Sequence, residues 1–188
     1  MKKIVLGLVA TLLTTSVMAE SFFDYKQEVN LGYSYVTLKS TDAPDLDGYF
    51  LGIKALKTVQ TFENGQSIAL GFGVNLTYVP DLKADPLIKN DTVYYVDIMP
   101  RVTYVISDEI DVSAFVGYTK GELSFEVFSN KYTYDYTGIS YGIGSSYEII
   151  SDLRVNLDVL ATDGEYERNS IASKADNVRY MIGVGYEF

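Results

Sequence analysis

The chain contains no cysteine, no histidine and no tryptophan in its 188 residues, and each absence narrows what it can do. Without Cys there is no disulfide framework and no lipid-attachment thiol, and an oxidising compartment finds nothing to oxidise. Without His the usual base that activates a serine nucleophile is missing, so no catalytic residue is expected and the chain reads as a non-enzyme. Positive charge is scarce too: 15 Lys and Arg stand against 25 Asp and Glu. Nucleic acid and anionic headgroups both require basic patches, so neither is expected as a direct partner. The carboxylates Asp42, Asp45 and Asp47 lack the spacing of a calcium loop and read as a solvated anionic face. Gly71-Phe72-Gly73 and Gly183-Val184-Gly185 are not followed by a helix, so they cradle no phosphate. No metal and no cofactor is expected.

What is present begins with a leader. Met1-Lys2-Lys3 is basic, Ile4 to Met18 is apolar apart from Thr and Ser, and Val17 and Ala19 are small enough for a cut after Ala19. Residues 1–19 therefore read as a cleaved signal peptide. About 15 apolar residues are too few to cross roughly 30 Å of hydrocarbon as a helix. Residues 20–188 form one domain, with no separate periplasmic domain expected after it.

Period-two alternation then recurs eight times. The runs are about Val29–Leu38, Gly48–Val59, Ile68–Tyr78, Tyr94–Ile106, Asp111–Lys120, Ile139–Ile149, Arg154–Val159 and Val178–Phe188. In the third, Ile68, Leu70, Phe72, Val74, Leu76 and Tyr78 alternate with Ala69, Gly71, Gly73, Asn75 and Thr77. Such runs are one greasy face and one polar face of a strand. Short turns at Glu63–Gly65, Ser107–Glu109 and Ser151-Asp152 alternate with long connections at Lys39–Asp47, Pro80–Asp91, Gly121–Tyr136 and Thr162–Asn177. Pro100 sits inside a strand run and predicts a bulge or local break. Leu123, Phe125 and Val127 also alternate, so the third connection reads either as a loop or as an extension of its strands.

The polar face is mainly Gly, Ser, Asn and Thr rather than the Lys and Glu of a soluble surface, so the apolar face is expected outside. Tyr35, Tyr78, Tyr94, Tyr118 and Tyr186 fall near strand ends on that face, as an interfacial girdle requires. The final strand places Tyr186 and Phe188 on the greasy face. With that ending and this rhythm, the chain resembles the small OmpA/OmpX-type bacterial outer-membrane barrels over nearly all its mature length. The resemblance implies an all-β, eight-stranded antiparallel up-and-down transmembrane barrel in a Gram-negative outer membrane. It also implies transit with periplasmic chaperones and insertion by the barrel-assembly machinery, with Tyr186 and Phe188 as the assembly signal. Outer-membrane lipid and lipopolysaccharide become expected neighbours, the latter met by acidic loops through divalent cations.

With the polar face inward, the lumen should hold Lys54, Asp97, Arg101, Glu148, Arg154, Asp158, Arg179 and Glu187. Glu148 and Arg154 flank one turn and should pair, with Glu187 nearby; Arg101 and Asp158 lie at similar heights on opposite walls. These charges read as a paired plug, since buried charges need partners and eight strands enclose little more than their own side chains. The rival reading is a narrow channel or conduit for ions or small hydrophobic compounds. The remaining candidates lie in the third connection, where Phe125, Phe128, Tyr132, Tyr134 and Tyr136 form an aromatic set. They read either as sheet extension or as a contact surface for a ligand, and the leading expectation is envelope integrity or surface interaction through the loops.

Overall fold

The computed structural model describes residues 25–39, 45–80, 88–128, 130–168 and 171–188; residues 1–24, the expected leader among them, and parts of all four long connections lie outside them. Strands β1 (Lys26–Leu38), β2 (Leu46–Thr61), β3 (Ser67–Val79), β4 (Ile88–Val105) and β5 (Ile110–Val127) follow one another. They continue with β6 (Asn130–Ile150), β7 (Leu153–Arg168), β8 (Ile171–Lys174) and β9 (Asn177–Glu187), with no helix among the described residues. Each strand from β1 to β7 pairs antiparallel with the next, β7 pairs with β9, and β9 pairs with β1. The pairings therefore close into a ring.

Among the described residues nine strands are present, and they build the expected eight-membered ring. β8 pairs with β7 through Glu165↔Lys174, and β9 through Thr162↔Asn177, in one unbroken register. Ala175 N–H still donates to the Gly164 carbonyl at 2.8 Å, so β8 and β9 are one wall member interrupted at Ala175-Asp176. The third connection proves to be sheet. β5 and β6 stay paired up to Val127↔Asn130, β4 follows β5 to Ile88↔Val127, and β7 follows β6 to Asp135↔Glu167, so these four form a sheet that projects past the other strands.

Pro100 produces no bulge. Phe72↔Pro100 keeps its place on one side, and Ile98↔Tyr118 and Arg101↔Phe115 hold the same register on the other. The ladder skips the two pairs between, the local break that a missing N–H causes. Register shifts fall instead at Thr58/Gln60, Lys89/Thr92 and Glu148/Ile150.

The apolar face points outward. Leu31, Leu70, Phe72, Ile98, Val116, Ile143 and Val184 are all exposed, while Asn30, Asn75, Asp97, Thr119, Ser140 and Arg179 are buried. A strand that shows lipid its aliphatic side and hides its polar side is how a barrel satisfies every backbone group in hydrocarbon. The interior glycines make room for this. A Cβ on Gly144 would collide with the Asp158 carboxylate, and one on Gly185 with Glu28, Asn30 and Asn156.

Candidate functional site

The lumen is built in storeys, because β4, β7 and β9 each contribute alternate residues at successive heights. At the short-turn end lies a polar vestibule of about 340 Å³, whose walls include Lys54, Arg101, Asp111, Arg154 and Glu187. Arg154 reaches Asp111 at 2.7 Å, Glu187 at 3.5 Å and Glu148 at 3.6 Å. Lys54 lies 3.3 Å from Glu28 and donates to Asn156 Oδ1 at 2.5 Å. Glu148 sits at the rim, more exposed than the rest.

Above the vestibule Arg101 pairs with Asp158 at 3.1 Å and lies over the Phe115 ring at 4.5 Å. Phe50, Met99, Phe115, Leu160 and Met181 pack together at this level as one buried cluster. The next storey holds Arg179 and Asp97, both fully buried. Arg179 donates to both carboxylate oxygens at 2.6 and 2.8 Å, and Thr119 donates to the same carboxylate at 2.6 Å. Charged groups so deep persist only when each is paired and further hydrogen-bonded.

An aromatic lid closes the long-loop end. Tyr95 packs edge-on against Tyr136, and Tyr136 tilts against Tyr166 with ring centroids 4.8 Å apart. The Tyr95 and Tyr166 hydroxyls lie 3.1 Å apart, and Asn177 Nδ2 donates to the Tyr136 hydroxyl at 2.8 Å. Val36, Leu46, Val79 and Val93 fill the remaining space.

This placement corrects one expectation. The sequence places Tyr136 with the loop contact residues, but its position on the inner face of β6 buries it completely. Phe125, Tyr132 and Tyr134 do lie on the projecting hairpin, their rings near-parallel at 5.6 and 5.8 Å, with Arg168 over Tyr132 at 4.4 Å. Phe128 stands at the apex, exposed. Tyr186 and Phe188 face outward at the short-turn end, ring against ring at 5.1 Å, and Phe188 N–H donates to the Gln27 carbonyl at 2.8 Å.

Sequence reading missed Glu28, Asp111 and Tyr166. Glu28 lies one residue before the assumed strand start, and Asp111 begins its strand on the polar face, so parity alone would have placed both inward. Tyr166 required the period-two pattern to be carried past Thr162.

At the long-loop end Lys174 and Asp176 pair at 3.0 Å. The hydrogen bond from Lys174 holds the Asp176 carboxyl below its ordinary range, and the same bond pushes the lysine up. Asp176 also accepts a backbone bond from Lys39 at 3.0 Å, tying the β8–β9 interruption to the end of β1.

Known proteins share this architecture. Ail, the attachment invasion locus protein of Yersinia pestis, superposes with a TM-score of 0.59 at 15% identity, covering 88% of this chain and 100% of its own. Neisserial surface protein A gives 0.59 at 11% identity, covering 87% and 97%. Among curated sequences no significant relative is found. The model of the outer membrane protein beta-barrel domain matches residues 5–188, nearly the whole chain. The closed ring and the outward apolar face are what that family's environment demands, and the protein belongs to the outer membrane protein β-barrel family and resides in the outer membrane.

Proposed function

We propose that this protein is a non-enzymatic barrel that serves envelope integrity or surface interaction through its extracellular loops. The observation that carries this reading is the blockage of the lumen at three successive heights. The Phe115 cluster, the Arg179–Asp97 pair and the Tyr95–Tyr136–Tyr166 lid each occupy the bore. What the molecule offers its surroundings is then its rim and its outer surface. Acidic loops meet lipopolysaccharide through divalent cations in this reading, and Tyr186 and Phe188 present the closing strand to the assembly machinery after chaperoned transit.

A second reading, a narrow conduit, is favoured by the vestibule alone. It opens at the periplasmic end and reaches inward to Arg101, which is half of a passage. Single-channel recording of the refolded protein in planar bilayers separates the two. A folded barrel that stays silent supports the loop reading; openings altered by Arg101→Ala or Asp158→Ala replace it with the conduit.

A further inference from the structure

We propose that the crown of the extracellular β5–β6–β7–β8 projection docks a basic protein surface. In this arrangement Phe128 and Ile171 enter apolar pockets of the partner, and Glu122, Asp135 and Glu167 meet its lysines and arginines. The proposal rests on the reading that the loops are the working part of the molecule and names the chemistry of what they take.

In a protein that shows lipid its apolar face, the most exposed large apolar residues belong in the lipid band. Here they do not lie there. Among the described residues Phe128, at 77%, and Ile171, at 72%, are the most exposed, and they stand at the ends of two adjacent extracellular hairpins. Phe128 belongs to the two-residue connection between Val127 and Asn130 and has a φ of +48°. That left-handed conformation suits Gly, Asn or Asp and disfavours a bulky side chain. The backbone gains nothing from Phe at this position, so the exposed ring is the reason to keep it.

A second cost lies on the outer face of the same sheet. Glu122 sits directly opposite Asp135, and Asp135 directly opposite Glu167. Like charges across neighbouring strands weaken a sheet. A cationic partner that also buries the two apolar tips removes the repulsion and the exposure together. Apolar anchors beside a charged border are the usual anatomy of a protein–protein contact. The carboxylates would repel an anionic lipid surface, which favours a protein over a bilayer as occupant. Stacking of Phe125 with Tyr132 and Tyr134, capped by Arg168, stiffens the hairpin and lowers the entropy lost on docking.

The test presents the full-length protein in phosphatidylcholine nanodiscs to immobilised extended peptides, with empty nanodiscs as the reference. A peptide alternating lysine and leucine should bind, and peptides alternating lysine with serine or glutamate with leucine should not. Phe128→Ser combined with Ile171→Ser should weaken binding about tenfold or more. Glu122→Gln, Asp135→Asn and Glu167→Gln together should weaken it and flatten its salt dependence. Phe128→Gly, which suits the backbone, should keep the fold and still lose affinity, separating docking from folding.

The proposal is overturned if the three peptides bind alike or the crown variants bind as the parent does. It is equally overturned if phosphatidylcholine vesicles compete with the peptide, since the crown then contacts lipid. Cell adhesion distinguishes a crown that does not dock from loops that do not work at all. If trimming all four loops changes adhesion and the crown variants do not, only the crown is wrong. If trimming changes nothing, the loop reading has failed with it.

Discussion

Arg179 and Asp97, 82 positions apart in sequence, grip each other through two side-by-side hydrogen bonds of 2.6 and 2.8 Å at the centre of the barrel. Neither has any solvent exposure. Such a pair is no guarantee of stability, since dehydrating both ions costs nearly as much as their attraction returns. Removing one partner is a different matter, because the other remains charged and buried. Asp97→Ala should therefore destabilise the barrel by about 3–5 kcal/mol, whereas Asp97→Leu with Arg179→Met should cost far less. Urea unfolding in lipid vesicles, followed by tyrosine fluorescence, measures both. Equal losses in the single and double variants would show that the interaction is not what holds this storey.

Gly144 offers a test of how tightly the lumen is filled. A side chain there has to displace the Asp158 carboxylate, which takes Arg101 with it. Gly144→Val should destabilise by at least the roughly 1–3 kcal/mol of ordinary overpacking. Asp158→Ala with Arg101→Met in the same chain should return part of that loss, because the collision partner and its stranded cation are then both gone. The migration shift between folded and heat-unfolded forms on a gel reads the order of the three proteins.

The Lys174–Asp176 contact makes a pH prediction with a definite sign. The aspartate is lowered, so its contribution is present above the ordinary Asp range and is lost only as pH falls through the lowered value. The lysine is raised, so its contribution holds below the ordinary Lys range and disappears as pH rises through the raised value. The contact should thus outlast, at both ends of the scale, what two isolated side chains would give. Carbon-detected NMR titration of the Asp176 carboxyl and the Lys174 terminal carbon tests it, and ordinary midpoints for both would remove the contact from solution.

Tyr186 and Phe188 make their ring contact on the outer surface, where neither supports the lumen. Tyr186→Ala with Phe188→Ala should leave refolding into detergent nearly unchanged and sharply reduce the folded protein in cellular outer membranes. Comparison of the two yields isolates recognition by the assembly machinery from intrinsic stability. A parallel fall in both would make these rings structural.

Much of this architecture could be read from alternation, because a strand that divides lipid from lumen writes its two faces into every second residue. The third strand, Ile68 to Tyr78, is legible for that reason. Strand ends above the membrane are less so. Beyond Lys120 the pattern of β5 reverses, with Leu123 packed on the inner cluster and Glu122 on the outer face, so the contrast between them no longer distinguishes a wall from a loop. Tyr136 misled for a related reason: an aromatic side chain suits a lumen, a girdle and a contact surface equally, and only its position in the β6 register decides among them. The identity of the charge partners was harder still. Lys54 meets Glu28 and Arg154 meets Asp111 because of strand tilt and stagger, which no single strand's pattern encodes.

The pairing of Val29 with Tyr186 joins the two ends of the described chain. Every other wall contact can form between neighbours as they emerge, but this seam has to wait for a strand more than a hundred and fifty residues later. Contacts of such separation are slow to find, since the long loop must close before anything is gained. Until then β1 and β9 are both open edges, each able to pair with a second molecule instead. A partly zipped wall thus carries two sticky borders, and its safety from a second molecule depends on how soon the last strand arrives at the first.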